Sequence, residues 1–311
     1  MSRPVVLGLD FGGSKIAVAV AEAGAPPMAT STLTVRAQDS APQTFDGAVA
    51  VAHEMLADLG AAGELAAVGA CTFGIPRPDG VDLAPTIPGW EELAFGNRLR
   101  VAFPGVHICT ATDVKAAAEA ELTDGALAGC DTGLYLNLGT GLAAAIVVDG
   151  RVARGLHGAA GEIGYNLRYP PDADGVSRLE DVVSGQALAA AARELFGAAD
   201  VAALFTRSRS DTRARRVCEQ FVRELSYHVV NLAIAIDPAR IVVGGGMVRA
   251  WDQLGPPLTR ALESAVPFPP DVLRAAYPFD APLRGALALA GAAAQSAFAI
   301  SRESSPEGAH A

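Results

Sequence analysis

The sequence predicts an α/β protein with two domains and a duplicated core. The chain has 311 residues, which is more than one typical domain needs. Short apolar, β-prone runs alternate with helical patterns along it. A unit made of a strand, a glycine-rich turn and a second strand occurs at residues 5–20 and again at residues 134–148. This repetition indicates two related halves.

The first of these units is predicted to be a β-hairpin with strands Val5–Leu9 and Ile16–Val20. Successive N–H groups of a glycine turn form a concave site for an anion such as phosphate. Asp10 is then a candidate to hold the Mg²⁺ of that phosphate, directly or through water. Glycine pairs also join hairpins that bind nothing, so the prediction depends on whether further site motifs occur later in the sequence. The turn residues are Gly12, Gly13, Ser14 and Lys15.

Periodicity and capping residues predict the elements that follow. A polar stretch with Pro42 leads to Thr44, a candidate N-cap for a helix that ends near Leu59. The segment at 77–90 is rich in Pro, Gly and Asp, and such a long irregular loop is often functional. The other predicted elements of this half are strands at Thr30–Arg36, Leu65–Phe73 and Val106–Thr110 and a helix at Val114–Leu122.

Thr112 and Asp113 stand where a predicted strand meets a helix. An acid at such a junction can simply cap the helix. It can also accept a proton from a substrate as a general base. The residues alone leave both interpretations open for Asp113.

The second unit has strands at Leu134–Leu138 and Leu142–Val148, with Gly139, Thr140 and Gly141 in its turn. A long helix at Asp211–Ile236 and a strand at Arg240–Val243 follow. Three glycines after that strand allow a flat ligand to approach closely, or form a plain turn. We expect a final helix at Arg284–Ile300 and a disordered tail at 301–311. The three glycines are Gly244, Gly245 and Gly246.

Composition excludes several classes of function. The net charge is −10 without a basic cluster, which argues against a nucleic-acid partner. No apolar run approaches the roughly 20 residues that span a bilayer, and no secretion signal is evident, so we expect a cytoplasmic protein without a membrane partner. The four cysteines lack the CxxC spacing of a zinc site, and we expect them to be small buried residues. They are Cys71, Cys109, Cys130 and Cys218.

Six motifs along the chain resemble those of the hexokinase–actin ATPase superfamily and, within it, the repressor, ORF, kinase (ROK) family of sugar kinases. The two glycine turns are similar to its phosphate loops, and the three consecutive glycines to its adenosine segment. Residues 158–164, Gly-Ala-Ala-Gly-Glu-Ile-Gly, are similar to the family signature. Thr112-Asp113 is similar to its Asn-Asp pair, and Pro88-Gly89-Trp90 to the end of its sugar loop.

The resemblance implies a two-domain actin-like ATPase fold, related to ribonuclease H, with mixed sheets flanking a cleft. The small N-terminal α/β domain would span 1–115 and be completed by a C-terminal helix at about 286–300. The large α/β domain would span 116–285. The family further implies ATP and Mg²⁺ as cofactors, a small-molecule sugar or cyclitol as substrate, and a homodimer.

The resemblance also assigns the site residues. Asp113 is the expected general base, and Glu162 and Glu180 are expected to bind the sugar, although Glu162 could instead brace its loop. Tyr165 replaces a family histidine and could contact the sugar or only pack. Zinc-bearing members carry a cysteine-rich loop at this point, whereas residues 166–178 contain no cysteine, so we expect no zinc.

Thr86 and Thr112 replace two family asparagines and complete the expected substrate contacts. The loss of two amides and an imidazole removes partners for the hydroxyls of glucose, and sites built for a hydroxyl discriminate strongly. We therefore expect a modified hexose, an amino sugar such as kanosamine, of the kind used in antibiotic pathways. The alternatives are a glucokinase- or fructokinase-type kinase, a seven-carbon cyclitol kinase and a non-catalytic sugar sensor. Family repressors carry a helix-turn-helix before the first turn, and only six residues precede Leu7, so a repressor is not expected.

Overall fold

The computed structural model describes residues 3–36, 38–84, 87–171 and 175–303. Its contacts divide the chain into two units. The first unit runs to Ala120, beyond the expected boundary at 115, and resumes at Asp280. The second unit spans Glu121–Phe279.

Twelve strands and eight α-helices are present in the described residues. The strands are β1 Val5–Phe11, β2 Lys15–Glu22, β3 Pro27–Thr34, β4 Leu65–Thr72, β5 Ile75–Pro76, β6 Val81–Asp82, β7 His107–Thr112, β8 Gly133–Leu138, β9 Leu142–Val148, β10 Arg151–Val152, β11 Arg240–Gly244 and β12 Asp271–Arg274. The helices are α1 Ala41–Asp58, α2 Phe95–Ala102, α3 Asp113–Asp124, α4 Gly185–Phe196, α5 Val201–Arg207, α6 Thr212–Ile236, α7 Trp251–Ala265 and α8 Ala281–Glu303.

The two main sheets have the same strand order. It is β3-β2-β1-β4-β7 in the first unit and β10-β9-β8-β11-β12 in the second. In each sheet the first three strands of the unit form an antiparallel meander, and the other two pair in parallel. This repeated topology confirms the duplicated core that the two glycine-turn units predict.

Helix α8 packs closely on the first unit at two glycines, where no side chain separates the backbones. A Cβ added to Gly69 of β4 would lie 1.8 Å from the carbonyl oxygen of Ala286. A Cβ added to Gly285 would lie 1.6 Å from the carbonyl oxygen of Ala116 in α3. The helix therefore rests backbone against backbone on β4 and α3, which holds these two elements in place.

An aromatic cluster anchors the loop at 77–90 in the first unit. The ring of Phe11 stacks on Phe45 at 5.5 Å and meets Phe95 edge-on at 5.3 Å. Trp90 is fully buried, and its Nε1–H donates to Thr72 Oγ1 at 2.9 Å. The end of the predicted functional loop is thus part of the core.

The expected start of α1 is wrong. The N-cap is Ser40 rather than Thr44, because Ser40 and Gln43 form a capping box in which each side chain accepts the N–H of the other residue. Pro42 lies in the first helical turn, where its missing N–H costs nothing. Thr44 is buried within the helix.

Two other expectations need correction. The loop at 77–90 contains strand β6, which pairs with β5. Helix α8 continues to Glu303 and so includes the first three residues of the segment expected to be disordered; residues from 304 onward lie outside the described part of the chain. The long helix of the second half begins and ends as expected, with Asp211 as its N-cap.

Within the described ranges, no helix combines the length and the apolar character that a membrane span requires. In the same residues, no group of three or more His, Cys, Asp or Glu side chains is arranged to hold a metal ion.

Candidate active site

Asp10 lies near the end of β1, directly across from Cys71 of the parallel strand β4. The Cys71 thiol donates to Asp10 Oδ1 at 3.5 Å and also lies 3.5 Å from the carbonyl oxygen of Pro282. Burial raises the pKa of Asp10 to about 6, although the thiol and the charge of Lys15 act in the opposite direction. A half-buried carboxylate of this kind gains stability from a bound cation.

Asp113 is the first residue of α3, but Thr112 makes the N-cap type of bond. The hydroxyl oxygen of Thr112 accepts the N–H of Lys115, three residues on, at 3.2 Å. Asp113 Oδ1 accepts the N–H of the adjacent Val114 at 2.8 Å. The neighbouring threonine thus supplies the cap, which favours a chemical role for the acid over mere capping.

The pKa of Asp113 is raised to about 6, first by burial and then by the negative charge of Asp10. The backbone N–H groups and Lys115 offset part of this rise. Two carboxylates of the same unit are therefore close enough to influence each other. Such a pair of perturbed acids is typical of a functional site.

The first glycine turn is closed by its own hairpin. The N–H of Gly12 donates to the carbonyl oxygen of Lys15 at 3.0 Å, and a Cβ on Gly12 would lie 2.8 Å from that oxygen. Glycine is thus required at this position by the turn itself. Gly13, Ser14 and Lys15 are exposed and form the part of the turn that a ligand can reach.

The second glycine turn is held by α4. The N–H groups of Gly185 and Gln186 donate to the carbonyl oxygens of Gly139 and Thr140, at 3.0 and 2.9 Å. The N–H of Gly139 bonds to the carbonyl of Gly141 at 3.2 Å. The turn is therefore rigid, with two of its carbonyls held by the start of a helix.

Glu180 lies against the other side of this turn. Its Oε2 accepts the N–H of Leu142 at 2.7 Å, and a Cβ on Gly141 would lie 2.7 Å from the same oxygen. A Cβ on Gly164 would lie 3.1 Å from it. Glu180 thus joins the second turn to the signature-like segment, while most of its side chain stays exposed.

The signature-like segment is hydrogen-bonded to β9. The N–H of Ala144 donates to the carbonyl of Gly161 at 2.7 Å, and Gly161 has a φ of 89°, which favours glycine. Glu162 is half-buried and precedes a short 3-10 helix, Ile163–Tyr165. The exposed ring of Tyr165 lies 4.5 Å beneath the guanidinium of Arg178, so this tyrosine does pack against a neighbour.

The three consecutive glycines have separate roles. A Cβ on Gly244 would lie 2.0 Å from the Tyr135 hydroxyl, and Gly245, with a φ of 84°, lies against the carbonyl of Leu138. Both are needed for packing against β8. Gly246 has open space around its Cβ position, which leaves it as the glycine that a flat ligand could approach.

Sequence reasoning missed Asn137 in β8. A Cβ on Gly139 would lie 3.2 Å from its Nδ2, and a Cβ on Gly245 would lie 2.7 Å from its Oδ1. Its side-chain amide therefore lies against both the second turn and the glycine segment. The repeated hairpin was the available signal, because Asn137 precedes its turn glycine by two residues, as Asp10 precedes Gly12.

Two of the expected substrate contacts, Thr112 and Thr86, are not seen as free contact groups in the described residues. Thr112 is buried and its hydroxyl oxygen is used as a cap. Thr86 lies outside the described residues. The structure brings Asp10, Asp113 and the first turn together in one unit, and Glu162, Tyr165, Glu180 and the second turn together in the other.

A family model described as the ROK family matches residues 6–293. The chain belongs to the ROK family. The bifunctional enzyme NanE/NanK of Brucella melitensis is 32% identical over 216 residues, which cover 69% of this chain and 40% of that enzyme. The match thus spans about two fifths of the length of that ROK relative.

Two other comparisons extend over nearly the whole chain. The kanosamine kinase of Amycolatopsis mediterranei is 29% identical over 309 residues, covering 94% of this chain and 97% of that one. The solved structure of a ROK hexokinase from Thermus thermophilus superposes with a TM-score of 0.79 at 28% identity, covering 94% and 99% of the two chains. The expected actin-like ATPase fold with two mixed sheets is thereby confirmed.

Proposed function

We propose that this ROK protein is an ATP-dependent kinase that phosphorylates the primary hydroxyl of a hexose or hexose analogue. The observation that carries the proposal is the pair of half-buried acids, Asp10 and Asp113, each with a pKa raised to about 6. A general base works best when its pKa lies near the working pH. The kanosamine kinase and hexokinase relatives, which span nearly the whole chain, support this class of reaction.

In the proposed reaction Asp113 accepts the proton of the attacking hydroxyl. The oxygen forms a bond to the terminal phosphorus of ATP as the bond to the ADP oxygen breaks, and ADP leaves with those electrons. Because phosphoryl transfer depends mainly on positioning and charge stabilisation, the N–H groups of the two glycine turns would contribute much of the stabilisation of the transferred phosphoryl group.

Asp10 fits a magnesium ion by the chemistry of its donor atoms. Mg²⁺ prefers hard oxygen ligands and is commonly held by one or two carboxylates together with substrate phosphates. The carboxylate of Asp10 stands two residues before Gly12, and the burial that raises its pKa to about 6 would make a bound cation favourable there. A bound Mg²⁺ would supply neutralisation of phosphate charge there.

We further propose an amino sugar such as kanosamine as the acceptor, with glucose, fructose and cyclitols as alternatives. Thr86, Thr112 and Tyr165 replace residues that would bind the hydroxyls of glucose. Carboxylates at Glu162 and Glu180 favour an ammonium group on the sugar. The kanosamine kinase relative agrees with this choice. We propose that the enzyme acts in the cytoplasm as a homodimer, which light scattering on the purified chain would test.

The experiment is ADP release by the full chain with Mg-ATP and a panel of glucose, mannose, fructose, glucosamine, kanosamine and a valiolone-type cyclitol. The Asp113→Ala variant gives the background. We expect turnover with at least one sugar and the highest kcat/KM with an amino sugar. No ADP above background with any acceptor would overturn the kinase proposal, and sugar binding without turnover in calorimetry would then favour a sensor. A preference for glucose would overturn only the choice of substrate.

A further inference from the structure

The segment that carries Tyr165 and Glu180 closes on itself through two short antiparallel arms. Leu167 and Arg178 form an isolated β-bridge. The N–H of Arg168 donates to the carbonyl of Ser177 at 3.1 Å, and the N–H of Leu179 donates to that of Asn166 at 2.8 Å. The arms are residues 166–168 and 177–179, and we refer to them below as the arms.

One side chain fastens these arms to the core of the unit. The guanidinium of Arg168 bonds to both carboxylate oxygens of Glu224 in α6: its Nε bonds to Oε2, and its Nη2 lies 2.6 Å from Oε1. Its Nη1 reaches Ser177 Oγ, on the opposite arm, at 3.0 Å. Gln220, one helical turn before Glu224, donates to Oε1 at 3.0 Å. A single arginine thus connects both arms to a helix.

The pair is shielded and strongly coupled. Both side chains are only 19% exposed, and the hydrogen bond from Arg168 holds the pKa of Glu224 below its usual range. The same bond raises the pKa of Arg168. Two-point Arg–carboxylate pairs are stronger and more directional than exposed ion pairs, which contribute little.

The position of the arms bears directly on the candidate sugar contacts. Arg178, at the end of one arm, stacks on the ring of Tyr165, and its N–H donates to Asp181 Oδ2 at 2.7 Å. Glu180 lies between Arg178 and Asp181 in the sequence, and its carboxylate accepts the N–H of Leu142 beside the second turn. A chain of contacts therefore leads from α6 through Arg168 to Tyr165 and Glu180.

We propose that Arg168 and Glu224 are positioning residues that set the geometry of the sugar contacts in this unit. The proposal rests on the proposed kinase function. Loss of the pair would let the arms move and would raise the KM for the sugar about 10-fold, because small misplacements of binding groups are costly. The KM for ATP would stay within about 2-fold, because the N–H groups of Gly185 and Gln186 in α4 still hold the second turn.

The test compares Arg168→Met, which keeps most of the apolar stem, with Glu224→Gln, which keeps the shape of the acid. Arg213→Met is the matched control, because Arg213 lies on α6, as Glu224 does, and forms an exposed ion pair with Asp211. Steady-state kinetics would give KM for kanosamine and for ATP separately. We expect a rise in the sugar KM for both variants, partial recovery in the Arg168→Glu/Glu224→Arg double variant, and no change for the control.

Hydrogen exchange of residues 166–171 and 175–181 supplies a measurement that needs no turnover. We expect faster exchange confined to this segment in Arg168→Met and Glu224→Gln. An unchanged sugar KM in both variants, or an equal rise in the KM values for sugar and ATP, would overturn the positioning role. If the wild-type chain shows no kinase activity, the proposed function fails. Unchanged exchange in the two variants would then separately overturn the proposal that Arg168 and Glu224 hold the arms.

Discussion

The two halves share one strand order but place different chemical groups at the same position. Asp10 faces Cys71 across the parallel pair β1–β4, and Asn137 faces Gly244 across the parallel pair β8–β11. Both residues stand two places before the first glycine of their turn. The first half therefore has a carboxylate where the second has an uncharged amide.

This difference matches what each half is proposed to do. The acid of the first half is half-buried, has a raised pKa and is suited to a cation. The amide of the second half lies against a glycine turn and the glycine segment, where a negative charge would repel phosphate. The two halves thus share one strand order, and their proposed roles differ because different residues stand at equivalent positions.

The largest effect is expected from Asp113→Asn, which removes the proposed general base of the first half. We expect kcat to fall about 10²- to 10⁴-fold, with ATP binding by calorimetry nearly unchanged. Because the pKa of Asp113 is raised to about 6, its charge destabilises the folded state at neutral pH, so Tm should rise in the variant. Full activity in Asp113→Asn would remove its assigned role.

The second largest effect is expected from Asp10→Asn, which makes the first half resemble the second. We expect kcat/KM for ATP to fall about 10²-fold and the Mg²⁺ concentration for half-maximal activity to rise, because the proposed carboxylate ligand is lost. A magnesium titration at saturating sugar measures this. An unchanged magnesium requirement would show that another group holds the ion.

The converse change, Asn137→Asp, makes the second half resemble the first. We expect the KM for ATP to rise about 10-fold, which is about 1.4 kcal/mol of repulsion, while the KM for the sugar stays the same. Asn231→Asp is the control, because this asparagine is exposed on α6. Equal KM values for ATP in both variants would contradict the proposal that Asn137 lies beside the phosphates of the nucleotide.

The smallest effect concerns pH. Asp113 must be unprotonated to act as a base, so kcat/KM for the sugar should fall as pH drops through about 6. The charge of Asp10 contributes to this raised pKa, so the midpoint in Asp10→Asn should move to lower pH. Profiles from pH 5 to 8 with a control for reversible unfolding measure the shift, and an identical midpoint would show that the two acids do not interact.

Local signals in the sequence determined the elements with strong periodicity. Both hairpins and the long helix after Asp211 follow from apolar spacing, glycine turns and a single cap. The capping box of Ser40 and Gln43 is also visible in the sequence, three residues apart, but Thr44 lies nearer the apolar positions that predict the helix. Such errors arise because adjacent polar residues compete for the same cap.

Only the tertiary structure decided which side chains meet and how charged groups behave. Arg168 and Glu224 lie 56 residues apart, so no local pattern connects them. The raised pKa of Asp113, in α3, depends on burial and on the charge of Asp10, which lies in β1. The sequence by itself determined the turns, the strands and the types of residue available, because these depend on neighbours in the chain. Partners and pKa values depend on desolvation and on contacts between distant segments, which exist only after the chain has folded.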